Sequence, residues 1–306
     1  MKLRLATRPS KLALVQSQQI VAALTSISPD LTVTFVEITT KGDAIQDRSL
    51  AALGGKGLFI KGLEQALLEN RADIAMHSLK DMPPQLDPEF CIPAVLKRDS
   101  PHDVFVSNTY RQIAQLPIGA SIGTCSVRRA AILLGLRPDL NVQICRGNVD
   151  TRLMKLDAGA FDALILAEAG LVRLGLSARI TEILPLDIFI PSVGQGVIAI
   201  ECLQARSDLV ALLSTLNDPH TLIQMTAERA LTHALGATCT SPIGSYAGIK
   251  GDTLTLTGAV FSPDGRQKLH TQHTAPLALA HATLLGERVA KDLLERGARV
   301  LLGAAQ

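Results

Sequence analysis

Residues 193–202 read VGQGVIAIEC, an apolar, strand-like run with two glycines near its start. Its place in the chain decides the fold. Two successive series of alternating strand-like and helix-like segments precede it, the pattern of an α/β protein. A further strand after the second series is expected to be the return crossover between two α/β lobes. The first series opens with the strand LRLA (3–6), a helix capped by Ser10 through LALVQSQQIVAAL, and the β-branched strand TVTFVEI (32–38). The segment 41–57, KGDAIQDRSLAALGGKG, has little periodicity and three glycines near its end, and is a candidate loop. A helix over 58–70 and the strand ADIAMHS (72–78) follow. The second series starts near residue 102 with DVFVS. It continues with ASIG (120–123), a helix from Ser126 to Leu136, NVQIC (141–145), a turn and helix in RGNVDTRLMKLDAG, and DALILA (162–167).

Downstream of 202 the character changes. Asp218 and Pro219 form an N-cap and N1 pair for a helix through Leu235, closed by Gly236. Three strand-like pieces follow, IGSYAGI, TLTLTGAVF and QKLHTQHT, with a hairpin turn at SPDG (262–265) and a final amphipathic helix over about 277–296. This predicts a separate C-terminal α+β domain with a three-stranded antiparallel sheet.

Composition narrows the function. The chain has 306 residues and is 47% hydrophobic, enough for two or three cored domains. With 30 basic and 28 acidic residues, only 3% aromatics and no Trp, it lacks the marks of a nucleic-acid binder. No apolar run reaches membrane-helix length, and charges at Lys2, Arg4, Arg8 and Lys11 interrupt any signal-peptide pattern. The five cysteines (Cys91, Cys125, Cys145, Cys202, Cys239) are odd in number and form no CxxC pair. They suggest a reducing, cytoplasmic setting rather than a disulfide framework or a zinc knuckle.

Arginine placement is the most informative chemical feature. Arg8 and Lys11 lie at the mouth of the first helix, Arg128 and Arg129 in the first turn after SIGTCS, and Arg146 and Arg152 around the turn RGNVDT. Cations are disfavoured at helix N-termini. Several of them there cost stability unless an anion binds between them, and arginine's fork suits carboxylates and phosphates. SIGTCS is not a P-loop, although Thr124 and Ser126 can donate hydroxyls beside it. HSLKDMP (77–83) places Lys80 and Asp81 at a strand's C-terminal end, where open α/β sheets bind ligands. His77 has no metal-ligating partner at i+4 and is expected to be structural; no metal site is expected. Cys239, in the polar loop GATCTSPIG, is the most accessible-looking thiol.

In series, LATRPSKLALVQ (5–16), TTKGD (39–43), GGKGLFIKGLE (54–64), DIAMHSLKDMP (73–83), IGTCSVRR (122–129), RGNVDTRL (146–153), AEAGLVRLG (167–175), PSVGQGVIAIEC (191–202) and AERALTHALGATCTSPIG (227–244) carry a resemblance across nearly the whole chain. The sequence resembles the hydroxymethylbilane synthase (porphobilinogen deaminase) family. That resemblance implies two lobes like those of type II periplasmic binding proteins plus the small α+β domain. The implied limits are 1–98 with 197–216 for the first lobe, 99–196 for the second and 217–306 for the third domain.

The resemblance also implies a dipyrromethane cofactor joined by a thioether to Cys239. Four porphobilinogen molecules are condensed head to tail on it with loss of ammonia, and hydrolysis releases hydroxymethylbilane. Asp81 matches the essential acid. It would protonate the leaving amine, stabilise the azafulvenium cation and help remove the ring proton. Ser78, Lys80, Thr124, Ser126, Arg128, Arg129 and Arg146 match cofactor contacts; Arg8, Ser10, Arg152, Arg173 and Gln195 match substrate contacts. The 42–57 loop matches a lid, and Phe59 packs either on a pyrrole or in the core. A monomer is implied. The chain departs from the family's usual pattern at Ala237-Thr238, where Gly-Gly is usual before the cysteine. Other departures are Cys125 in place of serine, His102 in place of arginine and Ala52 in place of lysine. Two other readings remain on residues alone: a solute-binding protein holding an anion between lobes, and a nucleic-acid binder using the RR and RGN turns.

Overall fold

The computed structural model describes residues 1–40, 60–238 and 241–303. Cys239, the expected lid at 42–57, Ala52 and Phe59 lie outside the described residues. In chain order, β1 (Lys2–Thr7), α1 (Lys11–Ile27), β2 (Thr32–Glu37), α2 (Lys61–Leu68), β3 (Ile74–Ser78) and β4 (Phe90–Val95) come first. The second series is β5 (Asp103–Val106), β6 (Ser121–Gly123), α3 (Val127–Leu136), β7 (Asn141–Gln143), α4 (Val149–Asp157), β8 (Ala163–Ala167), α5 (Glu168–Arg173) and β9 (Glu182–Ile183). The chain then runs through β10 (Ile198–Leu203), α6 (Ser207–Ser214), α7 (Pro219–Ala234), β11 (Ile243–Lys250), β12 (Thr253–Phe261), β13 (Lys268–Pro276), α8 (Leu279–Glu295) and α9 (Ala298–Gly303).

The strands form three sheets, ordered β2-β1-β3-β10-β4, β7-β6-β8-β5-β9 and β11-β12-β13. In the first, β1 runs parallel to β2 and β3, whereas β10 is antiparallel to both β3 and β4. The VGQGVIAIEC segment is therefore the return strand, inserted beside β3 after the chain has built the second sheet. The second sheet repeats the scheme: β6 is parallel to β7 and β8, and β5 is antiparallel to β8 and β9. The third sheet is wholly antiparallel. The fold class is α/β, two lobes and a small α+β unit, as expected.

Helix ends follow local chemistry. Ser10 Oγ accepts from Ala13 N, Ser126 Oγ from Arg129 N, and Asp218 from Thr221 N, with Pro219 at the first helical position. β4 was not anticipated. Its sequence, FCIPAV, carries Pro93, which lacks a ladder donor, and β4 is tolerated because it is the edge strand of its sheet. NVQIC ends as a strand at Gln143, and Ile144 points outward at 61% exposure.

The small unit packs on both lobes. Met225 of α7 joins Leu79, Val95 and Val197 in one apolar cluster, while Ala259 and Phe261 of β12 join Phe105, Ile122 and Ile190 in another. Between the lobes, the two crossings lie against each other: Leu96 N donates to Ile198 O at 3.0 Å and Asp99 N to Gly196 O at 3.1 Å. Gly196 has φ +88°, and a Cβ there would fall 2.6 Å from Asp99 O, so both conformation and space require glycine. The cysteines at 91, 125, 145 and 202 are free thiols. Burial pushes the Cys202 thiol up to about 12, so it behaves as a small core residue.

Candidate active site

A cleft of about 250 Å³ opens between the lobes, at the carboxyl ends of their parallel strands. β3 delivers its floor. After Ser78 the chain turns through a single 3₁₀ turn, Leu79–Asp81, anchored by Leu79 N donating to Val197 O at 3.0 Å. Leu79 is buried beneath Gly194, and this fixes Lys80 and Asp81 at the cleft. Ser78 Oγ accepts from Gln16 Nε2 of α1 at 2.9 Å.

Arg8, Ser10, Ser78, Lys80, Asp81, Arg129, Arg146, Arg152 and Arg173 all line this cleft. Six are cationic side chains from both lobes, and Asp81 is the sole carboxylate among the described lining residues. The Asp81 carboxylate accepts no hydrogen bond from a described residue. Burial pushes Lys80 down to about 8, Arg129 adds to that push, and Asp81 opposes it. Lys80 Nζ has no hydrogen-bond acceptor among the described residues.

Four of the expected contact residues, Arg128, Thr124, Ser126 and Gln195, are not among the residues that line this cleft. Arg128 is buried, its Nη1 donating to Ile190 O at 2.7 Å and lying 2.8 Å from Asp103 Oδ2. Gln195 is fully buried; its Nε2 donates to Pro101 O at 2.7 Å and Asp103 Oδ1 at 2.9 Å, and its Oε1 accepts from Arg129 Nη2 at 3.3 Å. Thr124 Oγ1 accepts from Ser126 N at 3.2 Å, and Ser126 Oγ accepts from Arg129 N in capping α3. These bonds brace the wall that carries Arg129.

The residue that organises this wall is Asp103, which the sequence reading passed over. It is fully buried, and burial would raise its carboxyl, but Arg128 and Arg129 beside it hold it well below the usual carboxylate range. Arg129 Nε donates to its Oδ1 at 3.0 Å. Part of the anion demanded by the paired arginines is thus built into the protein. The available signal was the Arg-Arg pair itself. Asp99, which binds Arg173 at 2.9 Å, and Gln16 were likewise missed. His77 also lines the cleft and is buried against Glu201, Nε2 lying 2.8 Å from Oε2.

The lobes meet across the mouth of the cleft. Lys11 Nζ of α1 lies 3.9 Å from Asp150 of α4, and Gly170 of α5 leaves room for Leu12.

The family model for the porphobilinogen deaminase dipyromethane cofactor binding domain matches residues 3–211. The chain belongs to the porphobilinogen deaminase family. A second family model, that of the porphobilinogen deaminase C-terminal domain, matches residues 222–295. The chain is similar to the porphobilinogen deaminase of Chromobacterium violaceum, with 48% identity over 303 residues, covering 99% of this chain and 97% of that protein. Among solved structures, a periplasmic substrate-binding protein of an ABC transporter from Coxiella burnetii aligns with TM-score 0.45 and 14% identity, over 70% of this chain and 91% of its own. A lipoprotein from Actinomyces odontolyticus aligns with TM-score 0.44 and 16% identity, over 70% and 89%.

Membership of the porphobilinogen deaminase family brings with it the dipyrromethane cofactor and tetrapyrrole-forming condensation. The cleft fits that cofactor: each pyrrole carries an acetate and a propionate, and the described lining holds six cations against one carboxylate.

Proposed function

We propose that the chain condenses four porphobilinogen molecules head to tail through Asp81, within a cleft whose arginines neutralise the accumulating carboxylates. The observation that carries this reading is the isolation of Asp81. It is the one described carboxylate in a lining of six cations. Arg8, Arg129, Arg146, Arg152 and Arg173, with Lys80, bind acetates and propionates of cofactor and substrate. Ser10 and Ser78 add hydroxyls. Arg128, Thr124 and Ser126 are proposed cofactor contacts and Gln195 a proposed substrate contact, besides their part in fixing α3 and Arg129. Cys239 anchors the cofactor by a thioether. When bound, the cofactor supplies the free pyrrole carbon to which the first unit is joined.

The role of Asp81 follows from charge. The amino group of porphobilinogen's aminomethyl substituent leaves as ammonia, the C–N bond pair going to nitrogen while the pyrrole nitrogen feeds electrons to the methylene carbon left behind. The resulting cation forms in a cleft of cations, where a carboxylate lowers its energy most because little water screens it. The same carboxylate keeps the departing amine protonated and afterwards takes the proton lost from the ring carbon. Final hydrolysis releases hydroxymethylbilane.

The domain limits proposed are 1–98 with 197–216, 99–196 and 217–306. A cytoplasmic monomer is proposed too; no helix among the described residues is long and apolar enough to cross a membrane. Intact-protein mass measurement of wild type and Cys239→Ser tests the anchor. The wild type is expected to carry two linked pyrrole units and the variant none. An adduct that persisted in Cys239→Ser would refute that attachment.

A further inference from the structure

Arg173 is the last residue of α5 and lines the cleft with a side chain only 6% exposed. One flank of its guanidinium is already engaged. Nε donates to Asp99 Oδ2 at 2.9 Å, and Nη2 donates to Gly196 O at 2.8 Å. Nη1 has no hydrogen-bond partner among the described residues. Asp99 and Gly196 belong to the two crossings between the lobes, and the same Gly196 carbonyl accepts from Asp99 N. An arginine of the second lobe is therefore held by the hinge itself.

Among the described residues, another cleft arginine with a carboxylate behind it is Arg129, paired with Asp103. The two carboxylates differ in one respect: the Asp103 side chain is 0% exposed and that of Asp99 is 46% exposed. A buried carboxylate cannot release its guanidinium without leaving an unpaired charge out of water. A half-exposed one is rehydrated when its partner moves, at small cost. Asp103 is a fixed counter-ion, and Asp99 is an exchangeable one.

We propose that Asp99 is a positioning residue, an exchangeable counter-ion that holds Arg173 at the cleft and yields it to carboxylates of the growing pyrrole chain. The inference rests on the assignment of Arg173 to substrate carboxylates made above. As an acetate or propionate arrives, the guanidinium passes from one carboxylate to another and is never left bare. No covalent bond changes. Competition from Asp99 also limits how tightly the chain is held at this point, so it favours onward movement and release.

The test compares Asp99→Asn, Asp99→Glu and Arg173→Gln as holoenzymes with porphobilinogen. KM and kcat are measured, and the number of added units is counted by intact mass at limiting substrate. Asp99→Asn is expected to lower KM by about twofold to fivefold, the worth of a half-exposed ion pair, and to lower kcat as product is held longer. Asp99→Glu restores both, and Asp99→Asn has no effect on KM in an Arg173→Gln background. An unchanged or raised KM in cofactor-loaded, normally melting Asp99→Asn would overturn the inference. If Arg173→Gln still raised KM, the assignment of Arg173 to substrate would survive that result. If Arg173→Gln left KM unchanged, that assignment and the exchange would fall together.

Discussion

Arg98 Nη1 lies 2.6 Å from Glu228 Oε1, with side chains 6% and 0% exposed. Around this pair the molecule's three sheets are tied. Glu228, on α7, also accepts from Gly194 N and from Ala247 N of β11, each at 2.8 Å. Arg98, on the outgoing crossing, donates through Nε to Gln195 O on the returning one, and its guanidinium sits 5.2 Å from the Tyr246 ring centre. One carboxylate joins both crossings to the third sheet.

Glu228→Ala leaves the Arg98 guanidinium buried without its partner and two backbone N–H groups without an acceptor. The expected loss is about 3–5 kcal/mol. Thermal unfolding of the purified variant checks it; a change within about 1 kcal/mol would show that the junction is not held this way.

Asp81→Asn keeps the size of the side chain and removes its charge and its capacity to take a proton. Turnover is expected to fall by about a hundredfold or more, with melting unchanged and the cofactor, once loaded, still attached. Near-normal turnover would remove Asp81 from the reaction.

Lys80 governs a pH effect. Burial sets it near 8, so it is cationic below that pH and loses its charge above it. Its hold on carboxylates is therefore present at neutral pH and fades as pH rises through about 8. KM for porphobilinogen should climb between pH 7.5 and 9 in the wild type, and this component should be absent in Lys80→Arg, which stays charged throughout about this range. A pH profile unaltered by the substitution would mean that another group sets it.

Asp103 acts at the acid end. Its folded carboxyl titrates below its unfolded value, so the unfolded chain binds the proton more readily. The stability it contributes is complete above about pH 4, the ordinary carboxylate value, and is lost as pH falls. Asp103→Asn is expected to be less stable at pH 7 and to lose less on acidification to pH 3. Equal pH slopes for variant and wild type would contradict this.

Cys125 is half-buried and lines the cleft, which makes it the natural rival to Cys239. Cys125→Ser should leave the two-pyrrole adduct in place. Loss of the adduct would move the anchor.

The parts legible in the sequence were local. Ser10, Ser126 and Asp218 cap helices through groups three residues away, Pro219 opens one at its first position, and the return strand at 198–203 announced itself by its apolar run after two glycines. Residues 80 and 81 were placed by the strand that precedes them. What stayed hidden depended on partners brought together by folding. Asp103 lies 26 positions from Arg129, and nothing near it in the chain marks it as a counter-ion. Neighbouring helix positions such as 128 and 129 diverge by about 100°, so only tertiary packing decides which faces the cleft. Pro93 disguised β4, whose place at a sheet edge no local pattern states.

The hydrogen bonds between 96 and 198, and between 99 and 196, bring the entrance and exit of the second lobe side by side. A segment whose ends touch behaves as a cassette. Joining two neighbouring points would bypass it without rethreading the first sheet. Its faces away from the cleft and the third sheet are thus the ones free to diverge under selection, while the residues at the splice and those lining the cleft must be inherited together.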